Sequence, residues 1–315
     1  MLDTGNNLLK HIAVMLMAMC FCFYANAQQP AADSLRFFDQ PSQYQPARGR
    51  WVGIGLGSGY AATMGALYTT WYSDYPISRF HTFDDNNEWL QMDKVGHAGS
   101  VYYLARWTSG LVRWTGKDEK SSALLGTGAA YLFLLTVETF DGFSEKWGFS
   151  TGDIAANTIG AGLFLGQELL WKEQRISVKF SYTKSALADV RPEVFGSNLT
   201  ENVLKDYNGQ TYWASVNLRS FAKRSRIPAW LNVAVGYGGR GMPTAVKNGI
   251  LADGTQFLDD RYRAFYLSPD IDWTKIKTEK SGLKMLFKVL NFIKIPAPAL
   301  MIGTGERVGL LPFYF

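Results

Sequence analysis

The apolar pattern of this chain changes period near residue 173, and that change decides what it can fold into. From Trp51 to about Lys172 the apolar residues run in helix-length stretches. From Ile176 the order Ile176-Ser177-Val178-Lys179-Phe180-Ser181-Tyr182-Thr183 alternates strictly, the mark of a half-buried strand. Helices followed by strands, with no strand–helix–strand alternation, point to an α+β fold: a glycine-rich bundle of about four helices, then an antiparallel β region.

Four helical stretches are expected. Trp51–Tyr72 has no charged residue and is long enough to cross a bilayer. Lys94–Trp114 is interrupted by His97, Arg106 and Arg113; Ser121–Glu138 is apolar; Gly152–Trp171 carries Asn157 and Glu168. Gly53, Gly55, Gly57 and Gly59, with the Gly162/Gly166 step, suggest close helix packing. The connections argue against four simple spans. Residues 73–93 hold Asp74, Asp84, Asp85, Glu88 and Asp93 against Arg79, whereas 113–120 hold Arg113, Lys117 and Lys120 against Asp118 and Glu119. With an exported N-terminus this opposes the positive-inside tendency. The preferred reading is a compact bundle on the exported side, free-standing or dipping into a membrane, with an inner-membrane bundle as the alternative.

Export is read from the N-terminus. Lys10 and His11 precede an apolar run, Ile12–Tyr24, and Ala25-Asn26-Ala27 supplies a small-x-small cleavage site, the pattern of a secretory signal peptide. The expected organisation is a signal peptide over 1–27, a polar linker over 28–50, a helical domain over 51–172 and a β region with an amphipathic helix over 173–315. The 2 cysteines, Cys20 and Cys22, fall in the signal. The mature chain would therefore have no disulfide, no thiol nucleophile and no thiolate ligand.

In the second half, Tyr212–Phe221, Leu231–Tyr237 and Arg263–Asp272 read as strands, the last interrupted by Pro269. Gly238-Gly239-Arg240-Gly241 and Asp253-Gly254 read as turns. Lys275–Ile295 is a basic amphipathic segment with a lysine stripe at 280, 284 and 288, suited to a membrane interface or to covering the sheet. The chain closes on Pro312-Phe313-Tyr314-Phe315, like the last strand of an outer-membrane barrel, but about eight long strands would be needed and too few are evident. Aromatic residues at 15% and a net charge of +5 favour membrane lipid as partner. The basic residues form no aromatic-interleaved groove for nucleic acid. Gly57-Ser58-Gly59-Tyr60-Ala61-Ala62 lacks the strand context of a dinucleotide site, so no cofactor is expected. Protein partners are not indicated.

The chemistry-bearing residues gather in the helical half. Asp93-Lys94-Val95-Gly96-His97 opens the second helix, Asp93 as a cap and Lys94 and His97 on one face. Glu138 closes the third helix with Asp141 beyond it. Ser150, Thr151 or Asp153 caps the fourth, where Asp153 and Asn157 share a face.

These motifs resemble a known family. Asp93-Lys94-Gly96-His97, then Glu138-Asp141-Gly142-Ser144, then Gly148-Phe149-Ser150-Gly152-Asp153-Asn157-Gly160 are similar to the YfiM-like domain of unknown function, a predicted periplasmic lipoprotein family. A looser similarity links them to VanZ-like membrane proteins, which carry a DK-x-x-H, an acidic helix end and a later D-x-x-x-N step. The resemblance covers residues 50–172 and implies the fold and compartment but no activity. This chain departs from the lipoprotein pattern because Met19 and Phe21, not small residues, precede the cysteines.

Three functions fit. The preferred one is a noncatalytic, membrane-associated envelope protein of a Gram-negative bacterium, periplasmic or outer-membrane, with a structural polar network of Asp93, Lys94, His97, Glu138, Asp141, Ser150, Asp153 and Asn157. In the second, Lys94, His97 and Arg106 hold the headgroup of an envelope lipid or amphiphile. In the third, a hydrolase or transferase uses His97 as base with Glu138 or Asp141, although no recognised nucleophile motif is present. Of 3 histidines, His11 leaves with the signal and His81 lies in an acidic loop. A metal variant would use His97 with Glu138, Asp141 or Asp153, but a single buried histidine among scattered acids is thin support and no metal is expected.

Overall fold

The computed structural model describes residues 37–315 except 251–253 and 255. The expected signal peptide, residues 28–36 of the lead-in and Asp253 of the expected turn lie outside these residues. Four long helices come first: α1 Pro46–Leu67, α2 Met92–Trp114, α3 Glu119–Gly142 and α4 Thr151–Trp171. Helix α1 starts inside the stretch read as linker, with Pro46 in its first turn, where a missing N–H costs nothing. Asp118 caps α3 by accepting from Ser121 N (2.9 Å), and Ser150 caps α4 by accepting from Asp153 N (3.1 Å). Asp93 does not cap α2; it lies in the first turn, behind Gln91, where a carboxylate still meets the positive end of the helix dipole.

Helix α2 packs between α3 and α4. Val101, Tyr102 and Ala105 of α2 meet Ala123, Ala130 and Leu134 of α3 and Ala161 and Phe164 of α4. Small residues allow this approach, but not at the glycines singled out by spacing. A Cβ at Gly160 would fall on the Ala98 carbonyl, and one at Gly126 on Ser109. Gly53, Gly55, Gly57, Gly162 and Gly166 have no described atom within 4 Å of that position. The GxxxG step therefore faces away from the α2–α4 contact.

The second half is one sheet of six antiparallel strands in chain order: β1 Ile176–Tyr182, β2 Gln210–Asn217, β3 Leu231–Arg240, β4 Tyr262–Ile271, β5 Ala297–Gly303 and β6 Arg307–Tyr314. The expected strand 212–221 ends at Asn217, whose side chain accepts from Ser220 N (3.0 Å) and turns the chain into the short helix Leu218–Phe221. Gly238, Gly239 and Arg240, expected as a turn, pair with Ala264, Arg263 and Tyr262, and the turn falls at Gly241 with φ 67°. Strand β5 escapes the pattern because exposed Pro298 interrupts it, while β6 holds the segment before Phe315 that reads like a closing strand. The amphipathic segment is α-helical only over α5, Ser281–Leu290, after Lys275 closes a short 3-10 turn; Phe292–Lys294 then runs beside Phe180 of β1.

This sheet is polar inside and apolar outside. Along β4 the buried residues are Ala264, Tyr266, Ser268 and Asp270, while Phe265, Leu267 and Pro269 are exposed. Lys179, Ser181, Thr211, Ser215, Asn217 and Asn232 are buried on the same inner side around Trp213. Thr183 Oγ1 donates to Phe315 O (2.7 Å) and Thr211 Oγ1 lies 2.9 Å from Tyr314 Oη, which brings the last strand back to the first two. Helix α2 covers the outside of β1 and β2. Tyr103 Oη donates to Val178 O, and the Tyr212 ring lies over Gly96 and Gly99, with a contact of 3.4 Å to a Cβ placed at Gly99. Beyond β2, the Leu90–Met92 segment meets the Tyr237, Gly239 and Arg263 end of this outer face, while Val235, Phe265, Leu267, Leu300 and Ile302 stay exposed.

Candidate functional site

Three helices carry the polar cluster, and their termini bring it together. A turn of three residues in the left-handed region, Trp89, Leu90 and Gln91 (φ 47°, 50° and 61°), leads into α2. Such backbone persists only where the surroundings hold it. Here Arg263 Nη1 and Tyr237 Oη donate to Leu90 O, and Gln91 Nε2 donates to Asn86 O (2.6 Å). The turn aims the first two turns of α2, with Asp93, Lys94 and His97, at the end of α3 and the start of α4.

Lys94 is the hub. Its Nζ lies 2.6 Å from Asp85, 2.9 Å from Asp153 Oδ1 and 3.4 Å from Asp93 Oδ2. The Asp153 approach is an ion pair without hydrogen-bond alignment. The lysine stem crosses α4 at Gly152, where a Cβ would lie 2.9 Å from Lys94 Cε. Ser150 Oγ donates to Asp85 (2.7 Å), and Ser150 N donates to Glu138 Oε2 (3.2 Å). His97 Nδ1 faces Asn157 Oδ1 at 3.2 Å; its Nε2 faces Glu138 Oε1 at 3.6 Å and Asp93 Oδ1 at 3.9 Å. Tyr207 Oη donates to Asp93 (3.0 Å) and Tyr72 Oη to Asp141 (2.7 Å).

Five carboxyl groups thus share two cationic side chains, and burial decides who keeps a proton. Burial pushes Glu138 up to about 8 despite the opposing pull of His97. Burial also lifts Asp141 to about 6, and burial with Asp93 lifts Asp153 to about 6. Burial alone would lower Lys94 and His97, but the surrounding carboxylates outweigh it and hold both above their ordinary values.

Glu138 gives a pH test. Its folded value of about 8 exceeds the ordinary 4.5, so the native state holds a proton that the unfolded chain releases. That stabilisation is complete below about pH 4.5 and is lost as pH rises through about 8, on the order of a few kcal/mol. Glu138→Gln, neutral throughout, should lose this slope. Thermal melts in EDTA-containing buffer should show the variant overtaking the wild type between pH 5 and 9; parallel profiles would remove Glu138 as the protonated acid.

The structure gathers Asp93, Lys94, His97, Glu138, Asp141, Ser150, Asp153 and Asn157 in one place. It does not bring Arg106 there. Arg106 follows His97 by nine residues, about half a turn around α2 at roughly 100° per residue, and its Nη1 donates to Ser177 Oγ of β1 (3.4 Å). The expected trio of Lys94, His97 and Arg106 therefore does not converge on one headgroup. Asp85, Tyr72 and Tyr207 join the cluster without having been singled out. Asp85 could have been, as part of the acidic run directly before the Asp93-Lys94 step; the two tyrosines arrive from distant segments with no local signal.

Residues 82–166 match the model of a family described as "Predicted periplasmic lipoprotein (DUF2279)". The match takes in every acid, Lys94 and His97 of the cluster and stops short of the sheet. It agrees with an exported, envelope-associated location and gives the inner-membrane alternative no support. The looser likeness to VanZ-like membrane proteins has no such match behind it. No curated protein and no solved structure matches the chain.

Proposed function

We propose that the chain is a noncatalytic, membrane-associated protein of the cell envelope, seated on lipid through the outer face of β3–β6. The observation that carries this reading is the inverted polarity of the sheet. Val235, Phe265, Leu267, Leu300, Ile302, Val308, Leu310 and Phe313 point outward with 39–83% of their surface exposed, while Lys179 and Asp270 lie at 0–1% on the inner side. Contiguous apolar patches of this kind mark interaction surfaces, and polar-in, apolar-out alternation is how a sheet meets hydrocarbon. Half-burying eight such side chains is worth roughly 1 kcal/mol each, comparable with one acyl-chain anchor.

The polar cluster supports the noncatalytic part. The Ser150 hydroxyl is committed to Asp85 and to capping α4, and His97 faces carboxylates and an amide rather than a nucleophile. A cleft of about 490 Å³ lies elsewhere, lined by Arg175, Phe221, Lys223 and Arg224.

Flotation with phosphatidylethanolamine/phosphatidylglycerol vesicles tests the reading. The wild type should rise with the vesicles, and Val308→Glu/Leu310→Glu should stay in the dense fraction with an unchanged melting temperature. A wild type that stays dense, or one that forms dimers broken by the same double change, would transfer this face to a protein partner and end the proposal.

A further inference from the structure

We propose that Asp93, His97, Glu138 and Asp153 form a site for one divalent first-row metal cation, clamping three helices together. The donor atoms of Asp93, His97 and Asp153 all lie within 4.8 Å of one another. Glu138 Oε1 adds a fourth donor 3.6 Å from His97 Nε2. A metal bound at about 2.0–2.2 Å to oxygen and imidazole nitrogen holds its donors roughly 3–4 Å apart, so a small contraction closes the set around one ion.

A second observation points the same way. Glu138 is 1% exposed, and its Oε1 has no hydrogen-bond partner. An orphaned carboxyl oxygen at that depth is costly, and this one is aimed at His97 Nε2. The imidazole is oriented to suit. Its Nδ1 faces the acceptor oxygen of Asn157, which suits an N–H on Nδ1, and its Nε2 is the nitrogen turned to Glu138 and Asp93. Glu138 and Asp93 face that nitrogen from two helices, the arrangement a cation bound at Nε2 requires.

Lys94 reaches Asp85, Oδ2 of Asp93 and Oδ1 of Asp153, and it leaves Asp93 Oδ1 turned to His97 and Glu138 Oε1 unpaired by it. Outer partners already hold the ligands: Tyr207 on Asp93, Ser150 N on Glu138, Asn157 on His97. Metal sites are built with such supports. Two ligands one turn apart on α2 and one each from α3 and α4 form the arrangement of a bundle-core site. One imidazole with three carboxylates suits Zn²⁺ or Mn²⁺ rather than a thiolate-seeking ion, with Zn²⁺ the tighter.

The test uses the full chain, stripped with EDTA and dialysed. Calorimetric titration with ZnCl₂ and MnCl₂, with elemental analysis of the washed protein, should give one ion per chain. His97→Ala should weaken binding at least 100-fold, and His81→Ala should leave it unchanged. If His97→Ala fails to fold, Asp93→Asn carries the test, since that side chain is 28% exposed; it should cost at least tenfold. No ion retained by the wild type, or equal affinity in the wild type and a folded His97→Ala or Asp93→Asn variant, overturns the site.

Discussion

Asp270→Ala should destabilise the protein by about 3–5 kcal/mol, the loss seen when one partner of a buried ion pair is removed. Inside the sheet Asp270 Oδ2 lies 2.8 Å from Lys179 Nζ and accepts from Ser215 Oγ at 2.6 Å. Ser215 Oγ in turn accepts from Asn232 Nδ2 (2.8 Å), whose Oδ1 accepts from Asn217 Nδ2 (2.7 Å). Removing the carboxylate strands two ammonium groups, because Lys294 Nζ also faces Asp270, 4.0 Å from Oδ1. Lys294→Met should move the other way. Burial pulls Lys294 down to about 8, so the native state sheds a proton that the unfolded chain keeps until about 10.5. Stability should therefore rise as pH climbs from 8 to 10.5. The methionine variant should gain about 1–2 kcal/mol at pH 7, after losing the lysine's bond to Ile295 O and its approach to the Trp213 ring. That gain should vanish by pH 10.5. Urea melts of both variants at pH 7 and 10 check the signs; an Asp270→Ala chain as stable as the wild type would mean that solvent reaches the sheet interior.

What the sequence discloses follows from how local each signal is. The period change near residue 173 and the starts of α2 and α4 depend on neighbours within one turn and are legible, although the α2 cap falls at Gln91 rather than Asp93 and the α4 cap is Ser150 among three candidates. The cluster is legible in part, because Lys94 and His97 share a helix face and Asp153 and Asn157 share another. What brings these faces together is not local. Tyr207 reaches Asp93 across 114 positions, and Arg263 holds the Leu90 turn from 173 positions away. Arg106 misleads because composition places it in the same helix while helical phase sends it to the sheet. The sheet's inverted polarity is visible in the strict alternation of Ile176–Thr183, but alternation does not say which side is inside. The usual assumption, apolar in, is the wrong one here, because Lys179 and Ser181 are buried. Strand β5 stays hidden for a related reason: Pro298 sits on the exposed side, where it breaks the pattern without breaking the fold.

Gly160→Ala should cost about 2–3 kcal/mol, although alanine is the better helix former by roughly 1 kcal/mol. The added methyl would meet the Ala98 carbonyl oxygen and carbon of α2. A backbone carbonyl inside a helix cannot rotate aside as a side chain could, so α2 and α4 must separate. Gly162→Ala, two residues along and facing open space, should instead stabilise by up to about 1 kcal/mol. Opposite signs at two glycines of one helix would locate the close approach at the first and exclude a general propensity effect. Ala98 adjoins His97, and Gly160 lies about one turn beyond Asn157, so the same separation lengthens the His97–Asn157 contact and draws Asp153 from Asp93. Gly160→Ala should therefore also weaken Zn²⁺ binding, by at least tenfold, while Gly162→Ala leaves it intact. A folded Gly160→Ala chain with full affinity would show that the cluster is held by Lys94 and the helix caps rather than by the α2–α4 contact.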